Sequence, residues 1–494
     1  MTYVLGIDSS TTATKAVLVD ESGSVAAIGS STYDYETPHP RWAEQHPDLW
    51  WEATIAAIGQ ALAEAGASGD DVAAVGLTGQ MHGLVLLDDD GQVIRPAILW
   101  NDQRTATECD EIRDTVGRER LIAITGNDAL TGFTAPKILW VRNHEPEAHR
   151  RIASVLLPKD HVRYRLTGSL ATDRAGAAGT LLFDLATRTW SDDVVGELGI
   201  DPEWLPPTFE GPDVTGTISS EAAEATGLVA GTPVVAGGGD QAANAVGVGA
   251  VDPGAVALSL GTSGVVFTAT DHPAIEPDGR LHAFCHAVPE RWHFMGVMLS
   301  AAGSLRWFRD ALAPGEPFTA LSAEAGDAPA GSDGLVFLPY LTGERTPHPD
   351  PDAKGAFVGL TVRHERRHLT RSVMEGVAFG LRDMFDLMTA AGIGDVTEVR
   401  ASGGGVASAV WRQILADVLD VDIVVTDVPE GAAIGAAALS TVAAGWFDRV
   451  QGAAEAWTTT GEVTSPGSDV DRYAEMHAIY RDLYPALRDD MHRL

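Results

Sequence analysis

Short apolar runs separated by polar turns fill the first thirty residues of the chain. Tyr3–Asp8 and Ala16–Asp20 are predicted to be β-strands joined by the turn Ser9–Thr14, which is rich in Ser and Thr. A third strand is predicted over Ala26–Ser30, after the turn Glu21–Gly23. The pattern therefore predicts a hairpin with hydroxyl side chains at its tip, followed by a further strand.

The same pattern recurs about half a chain length later. Ala255–Leu260 and Val265–Thr268 are predicted strands, and Gly261–Gly264 forms the turn between them. An internal repeat of strand, polar turn and strand predicts two similar domains.

Helical patterns lie between the predicted strands. Pro47–Ala65 has an Ala, Ile and Leu face and precedes the strand Val72–Thr78. Thr370–Ala391 is the longest, with apolar residues at helical spacing and Gly392 as its stop. Gly431–Gly445 is too short for a membrane span and predicts a tightly packed core helix. Alternating strands and helices predict an α/β fold.

Length and composition limit the class of protein. A chain of 494 residues with 45% hydrophobic residues is expected to be globular and to contain several domains. Two cysteines, Cys109 and Cys285, lie far apart, which argues against a disulfide framework or a zinc site and favours a reducing compartment. The first residues do not have the pattern of a signal peptide, so we expect a cytoplasmic protein.

The chain is strongly acidic, with 34 Lys and Arg against 69 Asp and Glu and a formal charge of −35. Such a field repels nucleic acid and anionic membrane surfaces, so neither is expected as a partner. It also repels nucleoside triphosphates. An ATP site would therefore need local backbone dipoles and a metal ion to offset the charge.

The glycine run Gly237–Gly239 leads into an acid, Asp240, followed by Gln241. Val234–Ala236 before it predicts a short buried strand, and the glycines allow the backbone to bend sharply and approach a ligand. A carboxylate held at such a turn suits a general base. Alternatively, Asp240 caps a helix that begins near Ala242. The residues alone leave both interpretations open.

Three polar turns predict a nucleotide site. The tips of the two hairpins carry hydroxyl and N–H groups that suit phosphate oxygens: Ser10, Thr11 and Thr12 in the first, and Gly261, Thr262 and Ser263 in the second. Asp8, at the end of the first strand, would hold Mg²⁺ directly or through water. Gly403–Gly405 lies between the strand Glu398–Ala401 and a helix over Ser408–Leu419, which suits a phosphate or nucleotide. A glycine turn used only for packing is the alternative for that segment, but the three turns together indicate ATP binding.

The hairpin pair resembles the duplicated ATPase core of the actin, hexokinase and sugar-kinase superfamily. Two segments, Gly132–His144 and Gly355–Glu375, resemble the signatures of the FGGY carbohydrate kinases. Five further segments are most similar to those members of the family that phosphorylate D-xylulose: Trp42–Pro47, Gly79–Gly83, Pro96–Asp102, Leu157–Asp160 and Leu338–His348. The resemblance covers essentially the whole chain and fades around residues 305–335 and near the C-terminus.

The resemblance implies an α/β fold of two actin-like (ribonuclease H-like) ATPase domains with a cleft between them. Residues 1–245 would form the N-terminal domain, with the sugar site and the first phosphate hairpin. Residues 246–494 would form the C-terminal domain, with the second hairpin and the adenosine site. The implied reaction is phosphorylation of D-xylulose to D-xylulose 5-phosphate with ATP and Mg²⁺.

The resemblance also implies roles for individual residues. Asp240 would be the base that takes the proton from the sugar hydroxyl, and Met81, His82 and Gln241 would contact the sugar. Three residues would hold the adenosine: Gly404, Gly405 and Ser408. Ser10 departs from many relatives, which have glycine in this hairpin; if the position requires a positive φ, Ser10 is strained and its phosphate contact changes.

Three other functions stay open at the level of sequence. The nearest is another sugar kinase of the family, acting on ribulose, glycerol or gluconate. The second is a sugar-binding regulator on a kinase scaffold, against which Asp240 and both hairpins argue. The third is an actin-like ATPase that polymerises or acts as a chaperone, which would not need the sugar contacts of Gln80–His82. Members of the family are often dimers, so a homodimer is a candidate assembly.

Overall fold

The computed structural model of the protein describes residues 1–426, 428 and 430–494, and two seven-stranded sheets dominate it. The strands, in chain order, are β1 Tyr3–Ser9, β2 Ala13–Asp20, β3 Val25–Thr32, β4 Glu44–Gln45, β5 Val72–Gly79, β6 Val85–Leu87, β7 Ala97–Ile98, β8 Ser154–Leu156, β9 Thr172–Asp173, β10 Phe183–Asp184, β11 Thr189–Trp190, β12 Thr208–Phe209, β13 Val214–Thr217, β14 Pro233–Val235, β15 Gly238–Gly239, β16 Ala255–Leu260, β17 Gly264–Thr270, β18 His282–Cys285, β19 Trp292–Met298, β20 Val336–Leu338, β21 Ala356–Val358, β22 Glu398–Ser402, β23 Ile423–Thr426 and β24 Thr460–Thr464.

The α-helices lie between and after these strands. In chain order they are α1 Pro47–Ala65, α2 Ala106–Val116, α3 Arg118–Thr125, α4 Thr134–His144, α5 Pro146–His149, α6 Pro158–Thr167, α7 Arg174–Ala178, α8 Asp192–Glu197, α9 Ser220–Thr226, α10 Asp240–Gly247, α11 Ala302–Leu312, α12 Phe318–Gly326, α13 Arg366–Ala390, α14 Ala409–Leu419, α15 Gly431–Ser440, α16 Val450–Trp457 and α17 Val470–Met491. Within the described ranges, no helix is both long and apolar enough to cross a membrane.

The two sheets share one local arrangement. The first has the order β13-β14-β5-β1-β2-β3 with β15 beside β5, and the second has the order β18-β19-β17-β16-β22-β23-β24. In each, an antiparallel hairpin (β1–β2 or β16–β17) pairs with a parallel strand (β5 or β22). The α/β class and the two similar domains predicted from the repeat are therefore confirmed. The division between residues 245 and 246 stays a prediction.

Helices form at the positions that the spacing of apolar residues predicts. α1 has the predicted bounds, and its C-cap Gly66 takes the left-handed conformation, with φ of 60°. α13 begins four residues earlier than predicted, at Arg366. A capping box between Glu365 and His368 explains the earlier start, because it satisfies backbone N–H groups of the first turn.

The Gly- and Ala-rich stretch near residue 431 forms a core helix, as predicted, although α15 ends at Ser440. It packs on the first sheet, because Ala433, Ile434 and Ala437 share an apolar cluster with residues of β1, β2 and β5. A Cβ at Gly6 or Gly76 would collide with the α15 backbone. Small residues on both surfaces allow the helix to lie close to the strands that lead into the site.

Candidate functional site

Three parallel strands of the first sheet end at the same edge and bring the predicted sugar-side residues together. Gly239 of β15 pairs with Gly79 of β5, and Asp8 of β1 pairs with Thr78. Asp240 follows β15 directly, and the Gln80–His82 loop follows β5. Parallel pairing therefore places residues that are distant in sequence around one point.

Asp240 is the first residue of α10, whose N-cap is Gly239, with no side-chain cap hydrogen bond. The interpretation of Asp240 as the cap of a helix beginning near Ala242 is therefore wrong. Burial raises the pKa of the Asp240 carboxyl to about 6, and hydrogen bonds from the backbone and side chain of Gln241 oppose the rise. The residue nevertheless keeps some solvent exposure.

The glycine run before Asp240 is a bend followed by a strand, and only partly the sharp turn that its composition predicted. Gly237 alone has a positive φ, of 75°, while Gly238 and Gly239 pair with β5. Close packing explains the other two glycines. A Cβ at Gly238 would lie 2.7 Å from the Ala287 Cβ, and one at Gly239 would lie 2.8 Å from the Met81 Cγ.

Asp8 lies next to Asp240. The pKa of the Asp8 carboxyl is raised to about 7, mainly by burial and also by the negative charge of Asp240, while Lys15 opposes the rise. The Asp8 Oδ1 atom is buried and has no hydrogen-bond partner among the residues that the structure describes. An unpartnered carboxylate oxygen beside a second carboxylate is a suitable environment for a divalent cation. The residues present therefore fit the predicted Mg²⁺.

Lys15 and Glu430 belong to this group, and sequence reasoning missed both. Lys15 pairs with Asp8 across the β1–β2 hairpin, and its Nζ lies 2.5 Å from the Glu430 Oε2. Glu430 precedes α15 in a left-handed conformation, with φ of 60°. The residues are more than four hundred positions apart. Only the β1–β2 register, which pairs Lys15 with Asp8, could have suggested Lys15.

His82 and Met81 line the same side of the site. The His82 Nδ1 lies 2.6 Å from the Gly179 carbonyl oxygen, so Nδ1 donates to it and Nε2 keeps a free lone pair. Burial lowers the pKa of the His82 imidazole to about 3, which keeps it neutral. Met81 is buried against Gly239. His82 can thus accept a hydrogen bond from a hydroxyl group.

The Gly132–His144 segment supports His82 from behind. Lys137 on α4 donates its Nζ to the His82 carbonyl oxygen at 2.9 Å and to the Gly132 carbonyl oxygen at 2.7 Å. The edge of the Phe133 ring packs against the His82 ring, with centroids 4.9 Å apart. These contacts hold His82 at its positive φ of 66°, which is unusual for a residue other than glycine.

The first hairpin tip is held from several sides. The Ser10 hydroxyl donates to the Ala13 carbonyl oxygen at 2.8 Å, and Ser10 does not have a positive φ. The strain considered for Ser10 is therefore absent, but its hydroxyl is already engaged. The Trp100 indole N–H donates to the Thr11 hydroxyl at 2.9 Å, while Thr12 is exposed.

The second hairpin tip is exposed at Thr262 and Ser263. The N-terminus of α11 lies against it, because the N–H groups of Ala301 and Gly303 donate to the Thr262 carbonyl oxygen at 2.9 and 3.1 Å. Gly261 accepts a further N–H from this helix start. The backbone of the tip is thereby fixed, and both hydroxyls stay open to a ligand.

The glycine turn Gly403–Gly405 lies beside the second hairpin, because β22 is parallel to β16. Gly405 packs on Leu260, whereas a Cβ at Gly404 would meet no atom of the described residues within 4 Å. Ser408 caps α14, accepting the Trp411 N–H at 3.1 Å. The space beside Gly404 suits close approach of a ligand, while the Ser408 hydroxyl already serves the helix.

Comparison with known proteins fits this geometry. The model of the FGGY family of carbohydrate kinases, N-terminal domain, matches residues 3–247, and the model of its C-terminal domain matches residues 256–444. The chain therefore belongs to the FGGY family of carbohydrate kinases, which use ATP, and the family and fold implied by the motifs are confirmed.

Individual relatives are xylulose kinases. The chain is 47% identical to the xylulose kinase of Escherichia coli (strain K12) over 441 residues, covering 89% of this chain and 90% of that one. It is 38% identical to the xylulose kinase of Bacillus subtilis (strain 168) over 490 residues, with 99% and 98% coverage. The crystal structure of a xyloylose kinase from Brucella ovis superimposes with a TM-score of 0.91 at 39% identity and covers 99% of both chains.

Proposed function

We propose that this protein transfers the γ-phosphoryl group of ATP to D-xylulose and forms D-xylulose 5-phosphate, with Asp240 as the general base. The observation that carries the chemistry is the meeting of two carboxylates with raised pKa values, Asp8 and Asp240, at adjoining strand ends. Similarity along nearly the whole chain to xylulose kinases supports the choice of sugar.

Asp240 acts on the primary hydroxyl at the far end of the open-chain sugar. Phosphoryl transfer passes through a loose transition state, so positioning matters more than strong activation of the nucleophile. Asp240 aligns the hydroxyl and accepts its proton late. A carboxyl whose pKa is raised to about 6 is still ionised at neutral pH and is a better proton acceptor than an ordinary aspartate.

His82, Met81 and Gln241 hold the sugar beside this base. The Nε2 lone pair of His82 accepts a hydrogen bond from a sugar hydroxyl, since Nδ1 is already bound to Gly179. Gln241 follows Asp240 directly on α10 and lowers the pKa of its carboxyl, which favours the ionised form. Met81 supplies an apolar wall against Gly239. Together they orient the sugar with one hydroxyl towards Asp240.

The nucleotide lies on the turns of both domains. Thr11 and Thr12 of the first hairpin and Gly261, Thr262 and Ser263 of the second contact phosphate oxygens. Gly404, Gly405 and the region of Ser408 hold the adenosine. Asp8 would hold Mg²⁺, and that ion would supply positive charge to neutralise the transferred phosphoryl group. The positive charge of Lys15 reduces the repulsion between the acidic protein and the phosphoryl group.

An ATP-consumption screen tests the proposal. Purified protein is assayed with D-xylulose, D-ribulose, L-ribulose, glycerol and gluconate at low and high salt, and kcat/KM is compared. We expect the highest value for D-xylulose. A higher value for glycerol, gluconate or a ribulose would contradict the sugar assignment and leave the kinase assignment intact. Sugar-independent ATP hydrolysis alone would contradict both.

A further inference from the structure

Four charged side chains form a buried network beneath the sugar side of the site. Lys159, Asp160 and Arg163 lie on α6, and Asp173 precedes α7. The Lys159 Nζ lies 2.5 Å from the Asp160 Oδ1 and also pairs with Asp173. The Arg163 guanidinium lies 2.9 Å from the same Asp160 oxygen. All four side chains are at most 2% exposed.

Stability alone does not explain this network. Burying ions is costly, and replacing a buried ion pair by apolar residues of similar volume is often neutral or stabilising. The network is also incompletely satisfied, since Asp160 Oδ2 and Arg163 Nε have no hydrogen-bond partner in residues 1–426, 428 and 430–494. Its two cations and two carboxylates balance in charge. A role in fixing geometry accounts for charges at this place better than a role in stability.

One end of the network reaches the segment that carries Asp240. Arg163 donates one guanidinium N–H to the Ala171 carbonyl oxygen at 2.6 Å and another to the Ala236 carbonyl oxygen. Ala236 precedes Gly237, where the chain turns into β15 and Asp240. The planar guanidinium therefore fixes the start of the catalytic segment relative to the strand before α7.

The other end reaches His82. The Asp173 Oδ1 accepts the Gly176 N–H at 2.7 Å and caps α7. α7 is followed by Gly179, whose carbonyl oxygen accepts the hydrogen bond from His82. The Lys159 side chain also lies under the end of β5, because a Cβ at Gly79 would be 3.3 Å from the Lys159 Cβ.

We propose that Arg163 is a positioning residue for phosphoryl transfer, and that its network with Lys159, Asp160 and Asp173 fixes the Asp240 segment relative to His82. The inference rests on the proposed function of the same site. None of the four side chains of the network is proposed to contact a substrate. Its loss should therefore lower kcat and weaken sugar binding, while the KM for ATP stays nearly constant.

Two variants test the network. Arg163→Lys keeps the charge but removes the fork that spans Ala171 and Ala236, and we expect kcat to fall about tenfold or more, since small misplacements of catalytic groups are costly. Asp160→Asn/Arg163→Met removes one ion pair and keeps the remainder neutral, and we expect a larger fall. In both variants, the KM for ATP should stay within about twofold of the wild-type value. A tenfold change would correspond to about 1.4 kcal/mol of binding free energy.

A buried ion pair in the other domain supplies the matched control. Arg371 and Glu375 lie on α13 with Nε and Oε1 2.8 Å apart, and both are buried. Arg371→Met/Glu375→Gln removes a comparable pair without touching the sugar side. We expect this variant to lose thermal stability and to keep the sugar kinetics of the wild type.

Hydrogen exchange of the substrate-free protein separates this inference from the proposed function. In Arg163→Lys, peptides that cover residues 234–241 and 80–83 should exchange faster than in the wild type and the control. Unchanged exchange there, or a kcat equal to that of the control variant, would overturn the inference. If the double variant does not fold, the exchange and kcat of Arg163→Lys alone test the inference. If the wild type does not phosphorylate D-xylulose but exchange rises only in these peptides, the proposed function fails, while the role of the network in fixing the Asp240 segment relative to His82 stands.

Discussion

Asp8 and Asp240 lie together where neighbouring strands end, although the protein is already strongly acidic. Burial raises the pKa of both groups, and the charge of Asp240 adds to the effect at Asp8. Lys15 and Glu430 complete the group. Carboxylates held close at some cost are typical of functional sites, because a cation or a transferred proton relieves the repulsion.

Replacing the proposed base tests its role most directly. We expect Asp240→Asn to bind D-xylulose but to lower kcat by about 10²–10⁴-fold, the range for loss of general acid–base catalysis. Calorimetry measures sugar binding and a coupled assay measures turnover. Asp271→Asn, an exposed acid, is the control. Turnover of Asp240→Asn within a few-fold of the wild type would show that another group takes the proton.

The pH profile gives an independent test. Asp240 must be ionised to accept a proton, and its pKa is raised from 3.8 to about 6. At saturating ATP and Mg²⁺, kcat/KM for the sugar should therefore fall as the pH drops through about 6. At low Mg²⁺, the pH at which kcat/KM falls should be higher, because the neighbouring Asp8 has a pKa raised to about 7. His82 stays neutral over this range. A profile that is flat down to pH 4.5 would contradict the assignment.

At the scale of elements, glycines decide how closely the site can be assembled. The composition of the run Gly237–Gly239 predicts a turn, but two of its members are strand residues that lie close to Ala287 and Met81. Nothing local in the sequence distinguishes a glycine needed for conformation from one needed for packing. That difference depends on residues far away in the chain.

Gly404 offers a prediction at this scale. Within the described part of the chain, a Cβ there meets no atom within 4 Å, so Gly404→Ala should fold normally. If adenosine lies over this turn, the added methyl group should raise the KM for ATP about tenfold, or about 1.4 kcal/mol of binding. Gly59→Ala on the exposed face of α1, where a Cβ likewise meets nothing within 4 Å, is the matched control. Equal ATP kinetics in both variants would place the nucleotide elsewhere.

At the scale of the whole molecule, the two halves of the chain are joined by specific hydrogen bonds. The Asn127 side chain donates to the Ala283 carbonyl oxygen at 2.8 Å, and Trp292 donates its indole N–H to the Leu185 carbonyl oxygen at 2.7 Å. α15, late in the chain, packs on the first sheet. Segments from both halves of the sequence are thus packed against each other. The homodimer expected from the resemblance stays a prediction.

The net charge of −35 leads to a prediction about salt. A strongly negative field lowers the local concentration of an anionic nucleotide, and salt screens that field. Raising NaCl from about 20 to about 200 mM shortens the Debye length from above 20 Å to below 10 Å. We expect the KM for ATP to fall severalfold at fixed free Mg²⁺, with little change in kcat. A KM that rises with salt would show that local positive charge outweighs the overall field.

Much of this protein could be predicted from local sequence. The period-two apolar runs indicated both hairpins, helical spacing indicated α1 and α13, and long family motifs identified the carbohydrate kinase and its candidate base. These features depend on residues close together in the chain. Tertiary structure alone decided that Gly238 and Gly239 are strand residues, that Lys15 meets Glu430, and that Arg163 holds the Ala236 carbonyl. Such contacts join residues dozens to hundreds of positions apart, and strand pairing and burial in the folded chain create them, together with the raised pKa values of Asp8 and Asp240.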